Sequence, residues 1–156
     1  MDKLPSQWPR ISAALFYDDA AAAIDWIVKA FGFEVRLRVE GDGGEIVHSE
    51  LVYGEGVIMV GSARSKAHPE IAHCRSPKSI GGFNTQSLCV VVADPDAHCA
   101  RARAAGATIG MEPKTDDYGE EHGAHRCYRA VDPEGHHWWF MRVEREPGAP
   151  AKGKQG

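Results

Sequence analysis

LFYDDAAAAIDWIVKAFGFEV, residues 15–35, decides the fold, because it packs a strand end, a capped helix and a second strand into one short run. The apolar segment ISAALFY at 11–17 reads as a strand. Asp18 and Asp19 then offer side-chain oxygens to the free amides of a helix start. Ile24, Ile27, Val28 and Phe31 fall at i, i+3, i+4 and i+7, one face of an amphipathic helix. Gly32 follows where a helix ends in a left-handed residue. FEVRLRV at 33–39 alternates apolar and polar, as a half-buried strand does. Outward from there, GDGG at 41–44 is a hairpin turn, EIVHSELVY at 45–53 alternates again, Gly54 and Gly56 flank a turn, and VIMV at 57–60 is a fourth strand. The order is β-α-β-β-β.

The order then recurs. SLCVVVA at 87–93 is a strand, with Cys89 a small core residue. Asp94 caps a helix with Pro95 at its first position. Ala97, Ala100 and Ala104 are the residues expected to pack on a sheet, and Gly106 ends the helix. ATIGM at 107–111 is a strand, Glu112 to His125 a polar loop, RCYRAV at 126–131 a strand, DPEG at 132–135 a turn, and HHWWFMRV at 136–143 the last strand. Asp19 and Asp94 lie 75 positions apart, and Glu55 and Glu134 lie 79 apart, so the halves superpose with small gaps. The expected class is α+β: two tandem βαβββ units forming paired curved mixed sheets around a cleft, helices on the outer face. The units are 11–61 and 87–143, joined by a polar connector at 62–86 that is too long for a turn. Residues 1–10 and 144–156 read as tails.

The 156 residues suffice for one domain with a real core. Eighteen basic against 22 acidic side chains leave a net charge of −4, which argues against a nucleic-acid partner, since that needs a basic stripe. No apolar run approaches the roughly 20 residues of a membrane span, and MDKLPSQWPR lacks the apolar core of a secretory signal. Cys74, Cys89, Cys99 and Cys127 are widely spaced without C-x-x-C, a pattern of free thiols. A cytoplasmic protein is expected.

With its repeat, LFYDDAAAAIDWIVKAFGFEV, HSELVYGEGVIMVG (48–61), VVADPDAHCARARAAGA (91–107) and YRAVDPEGHHWWF (128–140), the chain resembles the vicinal oxygen chelate superfamily over roughly residues 11–143. Its members include glyoxalase I, extradiol dioxygenases, fosfomycin-resistance enzymes and bleomycin-binding proteins. The resemblance is to the glyoxalase/bleomycin-resistance-like branch. It implies the fold above, and it implies a homodimer, because such folds bury sheet edges against a second copy. In metal-using members, His or Glu ligands come from the first and last strands of each half. The matching positions here are Ser12, Met59 or Val60, Ser87 or Leu88, and Trp139, none of them His, Glu, Asp or Cys. No metal and no cofactor are therefore expected.

His136 and His137 are adjacent on a strand and point to opposite faces, so both cannot enter one cleft. His137 is expected at the rim beside Trp139, His136 at the turn end. His48 and Glu50 lie i, i+2 on one face, about 7 Å apart along the strand. They read either as a polar pair in a wet cleft or as an acid–base couple. His122, His125 and Cys127 lack a matching second pair for a metal site, as do His68, His73 and Cys74. Two functions stay open. One is a metal-independent binder of an aromatic or amphipathic small organic ligand, walled by Phe16, Met59 and Trp139, with polar contacts from Ser12, His48, Glu50, Arg126, Tyr128 and His137, and Tyr118 in a lid. The other is an enzyme: a metal-dependent lyase, isomerase or dioxygenase with relocated ligands, or a His48/Glu50 acid–base catalyst.

Overall fold

Residues 7–149 are described in a computed structural model of the chain. They divide into two compact units. The first runs to Thr85 and takes in Pro133–His136. The second holds Gln86–Asp132 and begins again at His137. Residues 1–6 and 150–156, most of the two expected tails, lie outside the described residues. Among the described residues no helix is long and apolar enough to cross a membrane.

The first unit is built from β1 (Ala13–Tyr17), α1 (Ala20–Phe31), β2 (Glu34–Glu40), β3 (Ile46–Tyr53) and β4 (Gly56–Ser62). The sheet order is β1-β4-β3-β2, with β1 parallel to β4 and the other pairs antiparallel. Asp19 caps α1 by accepting from the Ala22 amide at 3.0 Å, and Gly32 ends it with φ 78°. Ile24, Ile27 and Phe31 are fully buried in one core with Leu15, Leu51 and Val60. Each such side chain contributes about 1.5–3 kcal/mol on burial.

On β2 a register shift breaks the expected alternation, and beyond it the apolar residues take the uncovered face. Val35, Leu37 and Val39 are 38, 42 and 40% exposed. Leu37 pairs in register with Glu50 and Val39 with His48, on the face away from α1, whereas Arg38 reaches Asp25 of α1 at 2.9 Å. A register shift between Val35 and Leu37 frees Arg36 from the ladder. The connector carries short 3-10 turns at Pro69–Ile71 and Pro77–Ile80.

The second unit repeats the plan with β5 (Leu88–Val91), α2 (Pro95–Ala104), β6 (Thr108–Asp117), β7 (Ala124–Val131) and β8 (His137–Arg145), in the order β5-β8-β7-β6. Asp94 caps α2 through the Ala97 amide. Pro95, Cys99 and Ala102 are the buried helix residues; Ala97, Ala100 and Ala104, expected to pack, are exposed. Small residues are spread around this helix among Asp96, His98, Arg101 and Arg103, so no amphipathic signal chooses between faces. Trp138, Tyr128 and Phe140 are fully buried and stacked, with Trp138–Phe140 planes 6° apart. Their polar atoms are satisfied: Trp138 Nε1 donates to Asp132 at 3.0 Å, and Tyr128 Oη lies 2.6 Å from His98 Nδ1.

Three further expectations are corrected here. The polar loop at 112–125 is mostly strand, because β6 runs to Asp117 and β7 starts at Ala124. As an edge strand with two register shifts, β6 tolerates Pro113 and a polar run. Cys89 is exposed, since β5 is also an edge strand and Cys89 sits on its uncovered side beside Trp139. Finally, β8 extends through Glu144 and Arg145.

Candidate ligand-binding faces

Each sheet has one face under its helix and one open face, and the chemistry-bearing side chains collect on the open faces. On the first sheet, Ala14 pairs with Met59, Leu37 with Glu50 and Val39 with His48. A depression of about 210 Å³ is lined by Phe16, His48 and Met59, with His68 and Ile71 of the connector at its edge. His48 Nε2 lies 3.1 Å from Glu50, whose other oxygen accepts from Arg36 Nε at 2.7 Å. Arg36 in turn lies 4.9 Å from the centre of the Trp8 ring. The Arg36 and Glu50 side chains are only 14 and 12% exposed. Desolvation pushes the Glu50 carboxyl up, but the hydrogen bonds from His48 and Arg36, with their charges, outweigh it and hold Glu50 below the ordinary range. Glu50 is thus a neutralised carboxylate that orients His48. Ser12, just before β1, has a buried Oγ with no hydrogen-bond partner among the described residues.

On the second sheet, Trp139 stands between Cys89 and Arg129 in register, and Met141 between Val91 and Cys127. The Arg129 guanidinium lies over the Trp139 ring, 5.9 Å from its centre, and its Nη1 donates to His137 Nδ1 at 2.8 Å. That bond fixes the neutral His137 tautomer in which Nδ1 carries the lone pair. His137 and Trp139 lie two residues apart on one face of β8, both in contact with Arg129.

Arg126 and Tyr128, expected beside them, are corrected: both lie on the helix face. Arg126 makes a double hydrogen bond to Asp96 of α2, and Tyr128 is buried against His98. On β7 the residues 126, 128 and 130 share one face and 127, 129 and 131 the other, so the open face carries Arg129 instead. The signal lay in the hairpin: DPEGH pairs Val131 with His137, which sets Arg129 opposite Trp139. Tyr118 lies in the turn between β6 and β7, which the Gly123 carbonyl closes by accepting from the Tyr118 amide at 2.9 Å. It is 56% exposed, beside His125 at the hairpin end and away from Trp139.

His136 has another task. With Pro133–His136 it packs in the first unit, where its Nε2 donates to the Phe16 carbonyl at 2.9 Å and its ring meets Tyr17 at 4.5 Å. Glu134 accepts from the Asp18 and Asp19 amides at 2.6 and 2.9 Å, clamping the entrance to α1. The aspartates and the Glu-Gly turn, prominent in the sequence pattern, therefore meet.

Among the described residues no three His, Cys, Asp or Glu side chains gather as a metal-binding group. Of the inherited ligand positions, Met59 and Trp139 take the open faces, while Val60 is fully buried and Leu88 pairs with buried Trp138. A thioether and an indole are no donor set for a hard or borderline divalent ion, so these positions do not fit one.

The family model of the Glyoxalase/Bleomycin resistance protein/Dioxygenase superfamily matches residues 11–140. An uncharacterized protein of Mycobacterium bovis is 34% identical over 140 residues, covering 88% of this chain and 86% of its own. TioX from Micromonospora sp. ML1 is 33% identical with a TM-score of 0.65, covering 86% of this chain and 98% of TioX. A glyoxalase/bleomycin resistance protein/dioxygenase from Alicyclobacillus acidocaldarius is 14% identical, covers 86% of this chain and 90% of its own, and shares the fold with a TM-score of 0.59. This chain belongs to the glyoxalase/bleomycin resistance protein/dioxygenase superfamily.

Proposed function

We propose that the chain is a metal-independent small-molecule-binding protein that holds or sequesters an aromatic or amphipathic organic ligand. One observation carries the reading: Trp139, at a position where metal-using relatives place a ligand, lies on an open sheet face under Arg129. Flat aromatic surface with a few fixed polar groups is the common make-up of an organic-ligand site. On the first sheet, Phe16 and Met59 supply apolar surface and His48 a polar contact. The partners in this reading are the ligand and a second copy of the chain; the exposed Leu37 and Val39 on edge strand β2 support the dimer. The four free cysteines accord with a reducing, cytoplasmic setting.

The test is a screen of aromatic organic compounds against chelator-treated protein, read through tryptophan fluorescence. Ligands should quench or shift the emission of the wild type, and Trp139→Phe should remove most of the change. A screen whose ligands bind only after a divalent metal is restored would contradict the reading.

A second reading is favoured by the His48–Glu50 contact: His48 as general base, oriented by Glu50. It requires turnover that His48→Gln abolishes while leaving ligand binding in place.

A further inference from the structure

The open face of the second sheet presents a guanidinium that no carboxylate among the described residues neutralises. Four arginines lie on β7 and β8. Arg126 pairs with Asp96 at 2.6 Å, Arg142 with Glu144 at 2.6 Å, and Arg145 with Asp117 at 2.5 Å. Arg129 has neutral company. Its Nη1 donates to His137, its Nη2 to the Gly110 carbonyl at 3.4 Å, and its Cζ lies over the Trp139 ring. Among the described residues it makes no ion pair. These contacts orient the cation and leave its charge in place.

Gly110 on β6 makes the arrangement possible. A Cβ there would come within 2.6 Å of Arg129 Nη2 and 2.7 Å of Cζ. Gly110 has no positive φ, so what glycine supplies there is room for the guanidinium and not a backbone conformation. Three strands thus hold one guanidinium: β6 gives it room, β7 supplies it, and β8 floors it with Trp139 and positions it with His137.

We infer that this face is a subsite for the oxyanion of an aromatic acid, a carboxylate or sulfonate read by Arg129 with its ring system against Trp139. The inference rests on the small-molecule-binding reading above and names its ligand class. A planar guanidinium offers paired N–H donors whose spacing matches such an anion. The adjoining indole accepts the ring, and Met141 and Cys127 continue an adaptable, polarizable floor on the same face. An uncharged ligand would strip water from the guanidinium without replacing it, and a cationic one would be repelled.

The test uses anilinonaphthalene sulfonate and its uncharged parent, phenylnaphthylamine, which share a ring system and differ by the anion. Dye fluorescence is titrated with wild type, Arg129→Gln and Gly110→Ala. Arg129→Gln should weaken sulfonate binding at least about tenfold, the loss of a charged hydrogen bond, and leave the parent dye unchanged. Gly110→Ala, which displaces the guanidinium without removing it, should weaken the sulfonate in the same direction. Equal losses for both dyes, or none for either, would overturn the anion subsite and leave the binding reading standing. Failure of both dyes to bind the wild type would overturn both.

Discussion

The third strand of each unit, β3 or β7, carries one strong charge on its open face: Glu50 in the first unit, Arg129 in the second. Glu50 is answered by Arg36 from the neighbouring strand and by His48, at 2.7 and 3.1 Å. Arg129 is held by an imidazole, a carbonyl and an indole. A half-covered charge with a counter-charge is part of the fold's own electrostatics. One positioned by neutral groups keeps its field for something else. The two units share one plan, and the difference lies in what the adjoining strand supplies.

Removing each charge tests this contrast. Glu50→Gln leaves the largely covered Arg36 without its counter-ion, and should cost about 2–3 kcal/mol in chemical denaturation near neutral pH. Arg129→Gln should cost less, about 1–2 kcal/mol, because it strands no covered counter-charge and gives up a cation–π contact and hydrogen bonds to neutral groups. Equal costs would erase the distinction. The Glu50 effect also has a pH signature. Its folded value is lowered, so its contribution is complete above the ordinary carboxylate range near about 4.3 and is lost as pH falls through the lowered value. The stability gap between wild type and Glu50→Gln should therefore narrow on acidification; a gap that widens would contradict the pairing.

The clamp at the α1 entrance comes next in size. Glu134→Ala removes both acceptors for the Asp18 and Asp19 amides and should cost about 1–2 kcal/mol. Unchanged thermal stability would show that water replaces the carboxylate. Smallest is Asp117, which the Arg145 guanidinium, helped by the Gly119 amide, pulls down to about 2. Its contribution is present above the ordinary aspartate range and disappears as pH falls toward 2. Because Asp117 is exposed, Asp117→Asn should move the acid limb of the stability profile only slightly.

Element order was legible because its punctuation is local: Asp19 and Asp94 start helices, and Gly32 and the DPEG turn end elements. Which face of a strand is covered was not. Alternation has a period of two and cannot say on which side the helix lies, so β2 beyond its register shift reads inside out and Tyr128 and Arg126 were expected on the face that Arg129 occupies. Register shifts compound this, as at Arg36, which alternation alone would not turn toward Glu50. Edge strands blur the rest: β6 hides in a polar run holding Pro113, and Cys89 sits exposed within an apolar one. At the candidate site, His48 and Glu50 stood out by their spacing, and Trp139, with His137 two residues before it, through the family resemblance. Arg129 and Gly110 needed the hairpin register, because what singles them out is the neighbour opposite each.

The central claim is that ligand binding here does without a metal. The most direct measurement is elemental analysis of protein purified without a polyhistidine tag or chelator, followed by thermal shift on adding Zn²⁺, Ni²⁺, Mn²⁺ or Fe²⁺. Far less than one metal per chain and no shift on addition is the result the account predicts. Near-stoichiometric metal that is lost in His48→Ala or Glu50→Ala would contradict it and assign the first sheet's open face to metal-dependent chemistry.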